Sequence, residues 1–231
     1  MNSLRDVSWY FLGVVPHSYW RAFTWLGDSG LLLPASLLIV VLLAWSRETR
    51  GTALLWCVVF GAGSLVIMVS KLAFMGWGIG SPRLNFTGFS GHTAISTSVW
   101  PVLLWLASSR WTARHPQGLS STRGLQLAAL VGWSLGAGIG ISRLALYAHS
   151  VSEVIGGFLL GLAVSAIFLT LARHRPMPRF PWQVAVAGLV LPLFILRPGT
   201  PAPTQDLLEL IAMRMAGTTQ PYTREELLLR R

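Results

Sequence analysis

The sequence predicts an all-α, polytopic membrane protein with about six transmembrane helices in a bundle. Three observations lead there. Hydrophobic residues make up 53% of the chain and charged residues only 11%, with mean hydropathy +0.58, whereas a soluble domain carries about 25% charged residues to cover its surface. The apolar residues fall in long continuous runs rather than in alternation, which excludes barrel strands. The charges are also segregated: the +10 net charge, from 18 Lys plus Arg against 8 Asp plus Glu, lies mainly between the runs. That pattern suits a bilayer surface and anionic lipid, and not nucleic acid. High apolar content excludes disorder, and the single Cys57 excludes a disulfide framework.

In chain order, residues 1–29 are read as an interfacial N-terminal segment. Pro16, His17 and Arg21 interrupt it, while Trp9, Tyr10, Phe11, Tyr19, Trp20, Phe23 and Trp25 give it headgroup chemistry. A cleavable signal peptide is not expected, because no A-x-A site follows the short apolar stretch. Residues 30–196 form the six-helix domain. Its runs are 30–46, 52–70, 93–108, 125–141, 151–172 and 182–196, near the roughly 17–25 residues a helix needs to cross a bilayer. The last is short and contains Pro192. Residues 197–231 form a tail that opens with a Pro-rich break. A short amphipathic helix follows, with Leu207, Leu208, Ile211 and Met215 on one face, and is read as a surface helix without chemistry.

Loop charge sets the expected orientation. Arg47 and Arg50, then Arg110, Arg114 and Arg123, then Arg173, Arg175 and Arg179 occupy alternate loops; the opposite loops hold only Arg83 and Arg143, with Lys71 at a boundary. The positive-inside rule places the Arg-rich side in the cytoplasm of a cell (inner) membrane, and the loops after the second and fourth runs outside.

The chemistry is sought among ionisable groups at the span ends. Between Ser29 and Leu196 there are two acids, and Glu48 belongs to a charged loop. Glu153 lies in the first turn of the fifth run, four residues after His149, so the two share a helix face. A carboxylate there can accept the imidazole Nδ1–H and leave Nε2 as nucleophile or base; alone, it would merely complement a helix dipole. Lys71, Arg83, Ser90-Gly91-His92 and Ser142-Arg143 belong to the same expected membrane face. Three cations, two histidines and one carboxylate make an anion site, in which Arg forks and a Lys charge match phosphoryl oxygens. Backbone N–H groups of Ser90 and Gly91, at a helix start, suit the same anion.

Ser142-Arg143, five residues, His149, three residues and an acid together resemble the third signature of the type-2 phosphatidic acid phosphatase family. Phe89-Ser90-Gly91-His92 is similar to its second signature, Pro-Ser-Gly-His, and a looser form of the first, Lys, six residues, Arg-Pro, is present. The resemblance covers roughly residues 71–161. It implies a haloperoxidase-like core and a metal-independent phosphatase of lipid phosphates or pyrophosphates, with no cofactor. By position it also implies that His149 attacks phosphorus to form a phosphohistidine, and that His92 protonates the leaving alkoxide and then activates water. Glu153 would orient His149, and Lys71, Arg83, Arg143, Ser90 and Gly91 would bind the phosphate oxygens.

Three positions depart from the family pattern. Glu153 replaces Asp, Phe89 replaces Pro, and Lys71 and Arg83 lie twelve apart rather than seven, about 120° out of phase on a helix. Gly76, Gly78, Gly80 and Pro82 break any helix between them, so a loop must fold Arg83 back. Two other readings compete. Gly88-Phe89-Ser90-Gly91 with Ala148-His149 fits a rhomboid-like serine protease, which has no use for His92, Arg143 and Glu153 together. The second is a lipid-phosphate binder or transporter, which would use the cations without hydrolysis. A zinc site of His92, His149 and Glu153 is disfavoured by the cations around it. The substrate is open among phosphatidate, phosphatidylglycerophosphate, polyprenyl pyrophosphate and a lipid A phosphate.

Overall fold

A computed structural model describes residues 15–114, 121–176, 180, 183, 187 and 204–229. Among these the elements are α1 (His17–Trp25), α2 (Ser29–Ala44), a 3-10 turn (Arg47–Thr49), α3 (Arg50–Trp77), α4 (Gly91–Arg114), α5 (Ser121–Ala145), α6 (Val151–Ala172), α7 (Thr204–Ala216) and α8 (Arg224–Leu229). The extended backbone pairing in the described residues is a single bridge between Ser81 and Phe86. The expected all-α class is the observed one.

Among the described residues, four helical stretches are long and apolar enough to cross a bilayer: His17–Ala44, Arg47–Trp77, Arg123–Ala145 and Val151–Ala172. The first takes in both α1 and α2, joined by a tight turn, so it begins inside the 1–29 segment that the sequence sets apart. Asp28 makes that turn, its side chain capping the Gly30 N–H at 2.7 Å. α1 then packs on α5, and Trp100 Nε1 of α4 donates to the Leu26 carbonyl at 3.1 Å. The run expected at 93–108 is helical, but its helix, α4, is diluted by hydroxyls. α4 sits at the centre of the bundle, against α5 and α6. Its hydroxyls are satisfied within the helix: Ser96 donates to the His92 carbonyl, Thr97 to Thr93 and Ser98 to Ala94, at 2.6–2.8 Å. The run expected at 182–196 lies outside the described residues, apart from Gln183 and Ala187.

Small residues let α6 approach α4 closely. A Cβ on Gly157 would stand 2.8 Å from the Ser90 carbonyl oxygen, and one on Gly161 would collide with the Ala94 carbonyl oxygen. In a membrane bundle such backbone approach supplies packing that apolar transfer cannot. At the other end, Leu32, Ile39, Leu43, Trp56, Leu106 and Phe168 close an apolar core. Trp56 stacks on Phe60 at 5.0 Å and meets Phe168 edge-on at 5.1 Å.

α3 is 28 residues long, about 42 Å at 1.5 Å per residue, against a hydrocarbon core of about 30 Å. The helix is thus longer than the hydrocarbon is thick, and Lys71 lies in its last two turns. Gly76 remains inside the helix and meets α7, rather than breaking the chain as its composition predicted. Gly78 does end it, with φ 64° and a Schellman-type closure in which Ile79 N–H donates to the Ala73 carbonyl. α7 lies on this end of α3. Leu208, Ile211 and Ala212 pack on Leu72, Phe74 and Met75, while Leu207 and Met215 stay exposed, so the packing face is rotated from the one read in the sequence. The Tyr222 N–H donates to the Met75 carbonyl at 2.9 Å and holds the following turn to the same end.

Candidate active site

The site lies where α3, α4, α5 and α6 end on one face. The chain reaches it through two turns that use left-handed residues. Asn85, at φ 50°, closes the Ser81–Phe86 bridge, a conformation Asn accepts readily. Tyr147, at φ 53°, follows α5, where Ala148 N–H donates to the Arg143 carbonyl at 3.0 Å. A bulky residue holds that conformation only when its surroundings impose it. The turn brings the chain round from Arg143 to His149.

α6 then starts with a capping box. Glu153 N–H donates to Ser150 Oγ at 3.4 Å, and Ser150 N–H returns a bond to Glu153 Oε2 at 3.1 Å. Glu153 is 0% exposed. It stands 2.7 Å from His149 Nδ1 through Oε2, and accepts from Thr87 through both N–H (2.8 Å) and hydroxyl (2.5 Å) at Oε1. Arg224 donates to both oxygens, at 2.9 and 2.8 Å. A carboxylate met by so many donors accepts the imidazole N–H, which leaves Nε2 unprotonated. Burial pushes the His149 imidazole below its ordinary value, and the positive charges of Arg143 and Lys71 push the same way, against the hydrogen bond and charge of Glu153.

The second histidine has its own acid. His92 Nε2 is 3.5 Å from Asp28 Oδ2, a charge contact more than a well-made hydrogen bond. Asp28 is 6% exposed and reaches the site from the turn before α2.

The cations converge as well. Lys71 and Arg143 are close enough to act electrostatically on both histidines. The Arg143 guanidinium donates from Nη1 to Thr24 Oγ1 at 3.3 Å, while its buried Nε has no hydrogen-bond partner. A buried charged donor left open this way suits an anionic oxygen. Lys71 Nζ donates to Gln205 Oε1 at 2.9 Å. Arg83 lines a pocket of about 400 Å³ that also exposes Tyr147, His149, Ser152 and Arg224. The 78–90 loop thus puts Arg83 on the wall of a pocket that His149 also lines, and the lining of that pocket does not include Lys71, His92 or Arg143.

Ser90 and Gly91 differ in what they offer. The Ser90 N–H donates to the main-chain carbonyl of Glu153 at 3.1 Å, and its fully buried hydroxyl pairs with Thr93 at 2.9 Å. The backbone donor expected from Ser90 is thus committed to holding α4 and α6 together. Gly91 is open: a Cβ there would meet only Ile67, at 3.9 Å. Its N–H sits in the first helical turn, where the helix itself supplies no acceptor.

Sequence reasoning missed Asp28, Thr87, Gln205 and Arg224. Asp28 lies one residue outside the stretch searched for acids. Ser150-x-x-Glu153 is a legible capping-box pattern that would have fixed the start of α6. Nothing local marks Arg224, which is 71 residues from Glu153.

Comparison with known proteins agrees with this geometry. The model of the PAP2 superfamily matches residues 77–176. A protein of the Klebsiella pneumoniae cps region, described as an uncharacterized 22.5 kDa protein, is 41% identical over 212 residues, covering 90% of this chain and 97% of that one. Phosphatidylglycerophosphatase B of Bacillus subtilis is 30% identical over 166 residues, covering 68% of this chain and 74% of its own. No solved structure matches significantly. With the matched region spanning the end of α3 through α6, and a named phosphatase aligned over three quarters of its length, the chain belongs to the PAP2 superfamily, a family that includes lipid phosphatases.

Proposed function

We propose that the protein hydrolyses a lipid phosphate or pyrophosphate through a phosphohistidine on His149, at the extracytoplasmic face of the cell (inner) membrane. The observation that carries this reading is the His149 Nδ1 to Glu153 Oε2 contact of 2.7 Å beside the Lys71 and Arg143 charges. Glu153 holds the Nδ1 proton, and the Nε2 lone pair attacks phosphorus. As the N–P bond forms, the bond to the lipid oxygen breaks, and His92 gives its proton to the departing alkoxide. His92, now neutral, takes a proton from water; the water oxygen attacks phosphorus, the N–P bond breaks and inorganic phosphate leaves. Lys71, Arg83, Arg143 and the Gly91 N–H meet the non-bridging oxygens as charge shifts onto them. No divalent cation is required in this scheme, because those groups supply the charge. The loop charges support that face: Arg47, Arg50, Arg173 and Arg175 lie at the end away from the site, where Arg175 reaches Gly51.

The protease reading gains nothing from the geometry, since the Ser90 hydroxyl is buried against Thr93. The name of the Bacillus subtilis relative makes phosphatidylglycerophosphate the first substrate to test, beside phosphatidate, a polyprenyl pyrophosphate and a lipid A phosphate. The experiment is phosphate release by purified protein in detergent over these four lipids, with His149→Ala as control. Release from at least one of them, lost in the variant and blocked by vanadate, supports the reading. Binding without release would make the protein a carrier, and inhibition by a serine-directed reagent but not by vanadate would make it a protease.

A further inference from the structure

The C-terminal segment makes contacts that the phosphatase scheme does not use. Arg224 opens the short helix α8 and sends its guanidinium 139 positions back in sequence, to Asn85. There Nη1 donates to the Asn85 carbonyl at 3.2 Å and to Asn85 Oδ1 at 2.8 Å. Nη2 donates to Thr87 Oγ1 at 3.3 Å and to both oxygens of Glu153 at 2.8–2.9 Å. One planar fork thus ties the 81–90 loop to the fully buried acid that faces His149.

We infer that Arg224 is a positioning residue of the active site, one that holds the Glu153 carboxylate ionised and aimed and thereby sets the proton affinity of His149. The inference deepens the phosphatase reading and rests on it. Its physical basis is competition for one acid. Glu153 stabilises the imidazolium that His149 becomes on attack, and the Arg224 charge on the same two oxygens weakens that pull. With Arg224 present, His149 stays neutral and nucleophilic to lower pH. Without it, Glu153 faces His149 alone, protonation of the imidazole becomes easier, and the 81–90 loop loses its tie. The other charged groups around His149 are Lys71 from α3, Arg143 from α5 and Arg83 from the loop, all cations, with Glu153 as the facing acid and His92 on α4. Substitution at Arg224 removes none of these groups. The Gln205 contact to Lys71 places the same segment on the phosphate side, so the tail meets the site at two points.

The test measures protonation of His149 with no substrate present, from the pH dependence of its modification by diethylpyrocarbonate, followed on the His149 peptide by mass spectrometry. Full-length wild type is compared with Arg224→Gln and Arg224→Lys, and kcat and KM are measured alongside. In Arg224→Gln the midpoint should rise by about one pH unit, the order expected for one partly exposed charge beside the carboxylate. Its kcat should fall about tenfold with KM little changed. Arg224→Lys should keep the midpoint near wild type, because it keeps the charge, while recovering only part of the rate, because it loses the fork. An unmoved midpoint in Arg224→Gln, whatever its activity, would overturn the inference and leave Arg224 as a structural tie; so would a Lys variant shifted as far as Gln. An inactive wild type whose His149 midpoint still moves in Arg224→Gln would count against the phosphatase reading but not against the control of His149 by Arg224.

Discussion

Replacing Glu153 by glutamine preserves the shape of the side chain and removes its charge. The carboxylate accepts from His149 and Ser150 at Oε2, from Thr87 at Oε1 and from Arg224 at both oxygens. An amide has one acceptor oxygen and one donor nitrogen. If the oxygen serves Thr87, the NH2 faces Ser150 N–H, Arg224 and His149, and the imidazole must accept at Nδ1. The proton then moves to Nε2 and the nucleophile is lost. If the oxygen serves His149, the NH2 opposes two donors of Thr87. Either arrangement leaves buried donors unpaired, at about 1–3 kcal/mol of stability. The larger effect is on the reaction. A unit charge about 4 Å from the developing imidazolium, at an effective dielectric of about 20, is worth about 4 kcal/mol, near a thousandfold in rate. Glu153→Gln should therefore lower kcat by about 10³ and leave KM nearly unchanged, since the interaction grows as His149 becomes cationic. Glu153→Asp, the family's residue, should keep more activity. Steady-state kinetics on whichever lipid the wild type hydrolyses decides it: a Gln variant as active as wild type, or a loss confined to KM, would reduce Glu153 to a helix cap.

Three further outcomes are expected. Turnover should persist in EDTA; loss of activity restored by Mg²⁺ or Zn²⁺ would refute the cationic clamp. Because burial holds the His149 imidazole below its ordinary value of 6.5, half-protonation in the diethylpyrocarbonate titration should fall below pH 6.5; a midpoint above it would contradict the electrostatics. In a background lacking Cys57, a cysteine near Thr87 should react with an impermeant thiol reagent on intact cells, and one near Gln117 only after permeabilisation; the reverse pattern would invert the orientation.

The helices and the acid–base pair were legible for a physical reason: a bilayer penalises charge, so each ionisable group at a span end stands out. The fifth run, at 151–172, matches α6 (Val151–Ala172) in both bounds, because Ser150 caps it and polar residues follow it. Arg83 was legible as a residue that a loop had to return, and the Gly78 cap and Asn85 turn do so. What stayed hidden depends on long-range packing. Asp28 falls in the 1–29 segment by sequence, and only the turn between α1 and α2 brings its carboxylate to His92. Arg224 lies beyond the amphipathic stretch, in a part of the tail with no local signal; its contact with Glu153 depends on the tail folding along the end of α3, where the Tyr222 N–H donates to the Met75 carbonyl. Ser90 shows the converse. Its motif pointed to phosphate, yet the close α4–α6 approach at Gly157 commits its N–H to the Glu153 carbonyl.

The account turns on a covalent bond between His149 and phosphorus, and rapid acid-free quenching of purified protein with a ³²P-labelled lipid phosphate tests it most directly. Wild type should yield a base-stable, acid-labile phosphoprotein that maps to the His149 peptide. His92→Ala, slowed in its breakdown, should retain a larger share of the label it forms, and His149→Ala should carry none. A wild-type enzyme that releases phosphate with no label on that peptide, or a His149→Ala variant that is still labelled and active, would contradict the mechanism.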